Sequence, residues 1–359
     1  MSDFAVDEVL VPKTLDGPGG EEFIELVDVR NRVESDTLGT DALRWDAEGL
    51  RVIYGTTRLF VRRHLVVRVD GRIAGRAFVT AATLPGTAEA QVVVEVLPEH
   101  RRRGIGAALT AAAEDIAVAL GHTVLQCELP HSAAPGGERV PSPTGFGDLP
   151  TADPGVTFLQ RHGYSLEMVN RISQLDLAAS ASAVDELFEA ARVAAGADYR
   201  LVTWAGAAPE DRYEDLARLK SAMGTDAPSA GLESTEDPWD VDRVREWDGR
   251  MQETGRLLLT AAAEHAPTGR LAAYTELGLP PGDSAPATQE DTLVLRSHRG
   301  HRLGLLLKAA NLRQLREVSP GTTVVTTFNA EDNRPMLDVN EALGFRSIGH
   351  EGSWQKYLR

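Results

Sequence analysis

Two segments 198 residues apart constrain this chain more than any other feature: Val96-Leu-Pro-Glu-His-Arg-Arg-Arg-Gly-Ile-Gly-Ala-Ala-Leu109 and Val294-Leu-Arg-Ser-His-Arg-Gly-His-Arg-Leu-Gly-Leu-Leu-Leu307. Each joins the end of an apolar strand to a glycine-containing turn that opens a helix. In that geometry successive backbone N–H groups converge on an anion, and the positive end of the helix adds to the attraction. A device written twice predicts an internal duplication built around anion binding.

The remaining pattern repeats around these segments. In the first half, helical spacing is expected over 21–36 and 41–54, a strand over 59–69, and a hairpin through Asp70-Gly71 into 72–80. A strand over 90–97, an Ala-rich helix over 104–119 and a strand over 123–129 follow. Residues 156–162 read as a short helix closed by Gly163-Tyr164, with a last strand to Leu177. The second half repeats the order. It has a strand over 199–204, helices over 209–223 and 241–254, a hairpin over 256–265 and 270–277, and a strand over 292–295. A helix over 303–316, a strand over 322–328, a helix over 333–343 ended by Gly344-Phe345 and a strand over 346–358 complete it. From the second turn glycine to the closing glycine–aromatic pair is 57 residues in the first half and 40 in the second. The surplus maps onto Pro130–Gly155, whose six prolines and five glycines fit a functional lid or, the favoured reading, a disordered surface insertion. Domains are expected at 1–178 and 179–359, joined within 178–183.

Composition narrows the partners. Basic residues number 17 against 25 acidic ones in 1–178 and 20 against 28 in 179–359, so neither half is a basic module and no long nucleic-acid footprint is expected. The acidic balance favours cationic substrates such as amines, or serves only solubility. Cys127, the one cysteine, excludes an intrachain disulfide and a cysteine-rich zinc site. The nine histidines show no ligand spacing with a carboxylate or cysteine, so no metal is expected. With no signal-like start and no apolar run long enough to span a bilayer, the expected place is the cytoplasm, as a monomer or homodimer without membrane contact.

The first turn, Arg101-x-x-Gly104-x-Gly106 preceded by Val94-Glu-Val-Leu-Pro98, resembles the cofactor motif of the GNAT N-acetyltransferase superfamily. Thr327-Phe-Asn329 through Asn333-Arg-Pro-Met336 to Gly344-Phe345 resembles that family's later motif, and together the two resemblances cover nearly the whole chain. The resemblance implies an α/β (α+β) chain of two tandem GNAT-like domains, each a mixed, largely antiparallel twisted sheet flanked by helices. It also implies acetyl-CoA, or another acyl-CoA, as donor. The carried-over cofactor positions are Val94, Glu95 and Val96 beside the thioester, then Arg101, Arg102, Arg103, Gly104, Ile105, Gly106 and Ala107 at the pyrophosphate. In the second copy they are Thr292, Leu293 and Val294, then Arg299, Gly300, His301, Arg302, Leu303, Gly304 and Leu305, with Asn329 and Asn333. Arg302 stands where the first turn has Gly104, and Asn340 stands at the position of the family's usual tyrosine acid.

The implied reaction is direct acetyl transfer to a small-molecule primary amine. A lysine-like amine is only about 0.1% neutral at pH 7, so a carboxylate base is expected. The candidates are Glu276, ending an apolar strand, or Asp291 in the second half, and Glu95 in the first, the one charge within its strand, facing either solvent or the cleft. Tyr357 or solvent stands in for the acid, unless Tyr357 is, as the favoured reading has it, a packing residue. Trp239 and Trp247, with Asp226 and Glu246, border the second acceptor pocket or serve only as core and surface residues. Two rival readings remain: a non-catalytic acyl-CoA-binding scaffold, and an acetyltransferase of protein N-termini.

Overall fold

The computed structural model describes residues 4–134, 136–226, 229–235, 238–282 and 285–358; the start of the N-terminal reading, residues 1–3, lies outside them. In chain order the first half contains β1 (Asp7–Val9), α1 (Gly20–Leu38), α2 (Ala47–Tyr54), β2 (Phe60–Val69), β3 (Arg72–Ala82), β4 (Glu89–Val96), α3 (Ile105–Ala119) and β5 (Val124–Ser132). A small hairpin of β6 (Arg139–Pro141) and β7 (Asp148–Pro150), then α4 (Pro154–Arg161) and β8 (Ser165–Asp176), complete it. The second half contains α5 (Leu177–Ala195), β9 (Tyr199–Ala205), α6 (Tyr213–Asp226), α7 (Val241–Glu253), β10 (Leu257–His265) and β11 (Arg270–Leu279). It ends with β12 (Ala287–Val294), α8 (Leu303–Val318), β13 (Val324–Ala330), α9 (Arg334–Leu343) and β14 (Arg346–Tyr357).

Local chemistry sets many of these limits. Asp46 accepts the amide of Gly49 at 2.7 Å and starts α2, so residues 41–46 of the expected helix are turn instead. Asp153, with Pro154 in the first turn, starts α4, and Asp176 accepts the Ala179 amide at 2.9 Å to start α5. Residues 178–183 therefore lie within a helix that leaves β8 directly. The segment expected to be disordered, 130–155, is ordered where described. Arg139 pairs with Asp148 across the β6–β7 hairpin and Leu149 is fully buried, which gives the insertion an anchor in the core.

Twelve strands form one sheet in the order β1-β2-β3-β4-β5-β14-β8-β13-β12-β11-β10-β9. The two halves exchange their last strands. β14, the end of the chain, pairs with β5 of the first half, and β8 pairs with β13 of the second; β8 and β14 pair with each other at the centre. Each face carries one core per half. α1 and α2 cover Val66, Ile73 and Leu97, whereas α3 and α4 cover Val79, Val92 and Leu125. In the second half α6 and α7 cover Tyr274 and Leu293, and α5, α8 and α9 cover the opposite face. α5 has no counterpart in the first half among the described residues. It packs on α8, with Arg316 bonded to Asp185 at 2.5 Å and Arg313 over the Phe188 ring at 4.3 Å.

Candidate active site

Both turns fold alike. In the first copy the Arg101 Nε donates to the Val96 carbonyl at 3.0 Å and its guanidinium reaches Asp36 at 3.2 Å. Arg299 repeats this with the Val294 carbonyl at 3.1 Å and Asp226 at 2.9 Å. These two arginines brace the turns. Gly104 caps α3 at φ 96° and no side chain bonds the helix start, so the first amides, through Ile105, Gly106 and Ala107, lack intrahelical partners. Arg102 and Arg103 stand exposed beside them without an ion pair among the described residues. Uncapped amides flanked by free cations fit a diphosphate. A Cβ on Gly106 would meet the Phe158 ring at 2.9 Å, so glycine there allows α4 to pack on α3. In the second copy Arg302 takes the Gly104 role at φ 55°, a left-handed conformation costing an ordinary residue about 1 kcal/mol. His301 and Arg302 are exposed, Gly304 is half-buried, and Leu303 and Leu305 are buried.

Beyond each turn the sheet splits. β4 and β5 pair in parallel only over Glu89–Gln91 with Val124–Gln126, and β12 and β13 only over Ala287–Gln289 with Val325–Thr327. Val94–Val96 and Thr292–Val294 therefore border open wedges. The strands differ in one respect. β4 stays in register with β3, whereas β12 shifts register opposite Thr275–Leu277, bulging at Glu290–Asp291.

On the α1 face of the first wedge, carboxylates collect. Glu95 is buried and ion-paired with Arg76, whose Nη1 also donates to the Tyr54 hydroxyl at 3.3 Å. On α1, Arg30 donates to Glu34 Oε1 at 2.7 Å, while Oε2 is buried without a partner. Burial raises the Glu34 carboxyl to about 7 despite Arg30. Glu128 on β5 sits opposite Ser353 of β14, with Glu351 two residues along on the same face. Burial, then the charge of Glu128, raises Glu351 to about 8, and Asn170 Nδ2 donates to it at 3.1 Å. Burial raises Glu128 as well, although it keeps solvent access. The second half borders this carboxylate cluster: Gln126 Nε2 donates to the Glu233 carbonyl at 2.6 Å, and the Thr235 amide to Glu89 at 3.0 Å.

The second wedge is differently equipped. Glu276 is buried and bonded by Lys220 Nζ at 2.8 Å; burial raises its pKa while Lys220 opposes. Asp291 is exposed, 4.0 Å from the same Nζ, and accepts from the Tyr274 hydroxyl at 3.0 Å. Lys220 also lies over Trp239, which packs edge-on against Trp247. Asp226 and Glu246 are already paired, with Arg296 and Arg299 and with Arg58 respectively, so they do not await a cation. On the other side, Asn329 Oδ1 accepts from Asn340 Nδ2 at 2.5 Å, and Asn340 Oδ1 accepts from Lys308 Nζ at 2.7 Å. Asn333 heads α9 without a side-chain cap bond. Tyr357 is exposed and donates to Glu233 at 2.9 Å, so it is not a packing residue.

The structure thus brings Glu95 together with Arg76, Glu34, Glu128 and Glu351, four residues that sequence reasoning passed over. Arg76 and Glu128 had one readable signal: each is a charge at an alternating position of an otherwise apolar strand. Glu34 and Glu351 had none, because their neighbours come from distant elements.

The comparisons with known proteins agree with this geometry. Residues 31–134 match the model of the acetyltransferase (GNAT) family. A tandem GNAT protein from the clavulanic acid biosynthesis pathway is 26% identical, with 99% of this chain and 98% of that one covered at a TM-score of 0.72. A GCN5-related N-acetyltransferase from Sphaerobacter thermophilus shares the fold at 13% identity, 99% and 96% coverage and a TM-score of 0.59. So does a putative acetyltransferase from Pyrococcus horikoshii, at 9% identity, 100% and 91% coverage and 0.55. None of the curated proteins matches. No described helix is long and apolar enough to cross a membrane. Residues 31–134, which span the first turn and wedge, thus match an acetyltransferase (GNAT) domain, and over its full length the chain is similar to a tandem GNAT protein.

Proposed function

We propose that the chain transfers an acetyl group directly from acetyl-CoA to a small-molecule primary amine, with the chemistry in the first of two units, 1–178 and 179–359. The observation that carries this reading is the cluster of Glu34, Glu128 and Glu351 beside the wedge that the Arg101–Ala107 turn heads. Acetyl-CoA supplies an activated acetyl thioester. The turn amides with Arg102 and Arg103 hold its diphosphate, and the main chain of Val94–Val96 lies beside the thioester. Glu128, which keeps solvent access, attracts the ammonium form of the acceptor, whose charge in turn draws Glu351 toward its ionised form. The free Oε2 of Glu34, on a carboxyl raised to about 7, takes the amine's proton as the N–C bond forms, the thioester C–S bond breaks, and CoA leaves as a thiolate protonated from solvent. Glu95, held by Arg76, fixes one side of the cluster. The lone cysteine, a buried thiol kept protonated, fits a reducing cytoplasm.

The β12 bulge at Glu290–Asp291 favours a second reading, transfer in the second unit with Asp291 or Glu276 as base. Acetyl-CoA turnover against a panel of amines separates the two. A base is active once deprotonated, so kcat/KM should rise with pH through about 7. Glu34→Gln should lower it by about 10²–10⁴-fold and remove that limb, and Gly104→Glu should abolish cofactor binding. An unchanged profile in Glu34→Gln, with loss in Glu276→Gln or Asp291→Asn, would move the chemistry to the second unit. Cofactor binding without turnover of any amine would leave a binding scaffold.

A further inference from the structure

A cavity of about 600 Å³ opens where β1 and α2 of the first half meet α7 of the second. It shares no lining residue with the turns or the carboxylate cluster. Its walls are basic. Of its cations, Arg63 is matched by Glu8 at 3.1 Å and Arg51 by Glu48 at 2.6 Å, which leaves Arg62, Arg250 and Lys13 facing Glu253. Among the described residues neither Arg62 nor Arg250 lies within ion-pair distance of a carboxylate.

Both guanidiniums meet the end of α2. Arg62 donates to the Gly55 carbonyl at 2.7 Å, and Arg250 to those of Val52 and Ile53 at 3.0 and 3.1 Å. Cations belong at a helix C-terminus, so capping accounts for the carbonyl bonds of both. It does not offset the like charge that the two bring together. Burial, and then the charge of Arg250, push Arg62 down to about 10, so the pair carries a repulsive cost. Two planar guanidinium forks converging on one cavity match the oxygens of a carboxylate or phosphate. Leu10, exposed just past β1, offers apolar surface for the rest of such a molecule.

We propose that this cavity binds a small organic oxyanion, with Arg62 and Arg250 on its oxygens and Leu10 against its apolar body. The site touches the carboxylate cluster through one side chain. Tyr54 lines the cavity, and its hydroxyl accepts from Arg76, the partner of Glu95.

Titration calorimetry of the full chain with phenyl phosphate and with benzoate tests this. The expected result is saturable 1:1 binding of at least one probe, weakened about tenfold or more by Arg62→Gln and by Arg250→Gln. Because both arginines also cap α2, the deciding variant is Leu10→Glu. Leu10 is 72% exposed, so the change puts a negative charge on the cavity rim and leaves the caps intact, and it should weaken binding as well. A preference for phenyl phosphate identifies a phosphate ligand, and one for benzoate a carboxylate. No saturable heat with either probe overturns the proposal. So does binding that survives Leu10→Glu but disappears in Gly104→Glu, since that places the anion at the α3 turn.

Discussion

Lys308 carries an amine into a core where, among the described residues, no carboxylate pairs with it. Its hydrogen-bond partner there is the Asn340 side-chain Oδ1, and burial pushes the amine down to about 7. The native pKa lies below that of the unfolded chain, about 10.4, so between pH 7 and 10 the unfolded state binds more protons and stability rises with pH across that window. Lys308→Met should remove this rise. At pH 7 it should leave the protein equally stable or more stable, because an apolar side chain of similar length has no charge to desolvate. Urea unfolding at pH 7 and at pH 9.5 checks it; a Met variant that keeps the pH dependence would show that the amine is not the group responsible. Residues like this mark the limit of what the chain's letters reveal. Glu95 stands out as a charge in an apolar strand, but its facing depends on the register that sets it opposite Arg76, 19 positions upstream. Glu276 stands out in the same way, and nothing near it announces Lys220 on α6. Arg302 looks like a broken turn as a letter, yet the backbone accommodates it in the left-handed region without losing the turn.

Elements with strong periodicity were the most legible. The β2–β3 and β10–β11 hairpins, the turn helices α3 and α8 and the strand β4 lie where the spacing puts them, because short-range turn chemistry and one buried face decide them, whereas β12 starts at Ala287, well before the expected 292. α5 was missed for a different reason. Its Ala-rich sequence is helical by propensity, but it falls where a linker between domains was sought. The Pro- and Gly-rich 130–155 segment misled in the opposite direction, since composition cannot show that Leu149 has a core to enter. If the β6–β7 hairpin is held as the structure shows, Leu149→Ala should cost about 2–5 kcal/mol of stability. Thermal or urea unfolding of the variant decides this: a loose insertion would tolerate the change with no measurable loss.

At the scale of the whole molecule, the exchange of β8 and β14 was invisible to sequence reading, because a strand's pattern is the same whichever edge it joins. Its consequence is testable. The first half alone, residues 1–178, keeps β5 but loses β14, which bonds β5 from Val124 to Ser132. It also loses Glu351 from the carboxylate cluster, and it leaves β8 without either of its neighbours. Exposed unpaired strands of that length template aggregation. Residues 1–178 expressed alone should therefore be insoluble or associated and inactive, whereas co-expression with 179–359 should restore a soluble 1:1 complex. The intact chain should unfold in one transition seen alike by circular dichroism and tryptophan fluorescence, since each sheet half contains a strand of the other. The competing outcome is specific: β8 could swing over to pair with β5 and close the first half on itself. A soluble, monomeric 1–178 fragment with a cooperative melt would establish that closure, and it would mean that the exchange is not required for folding.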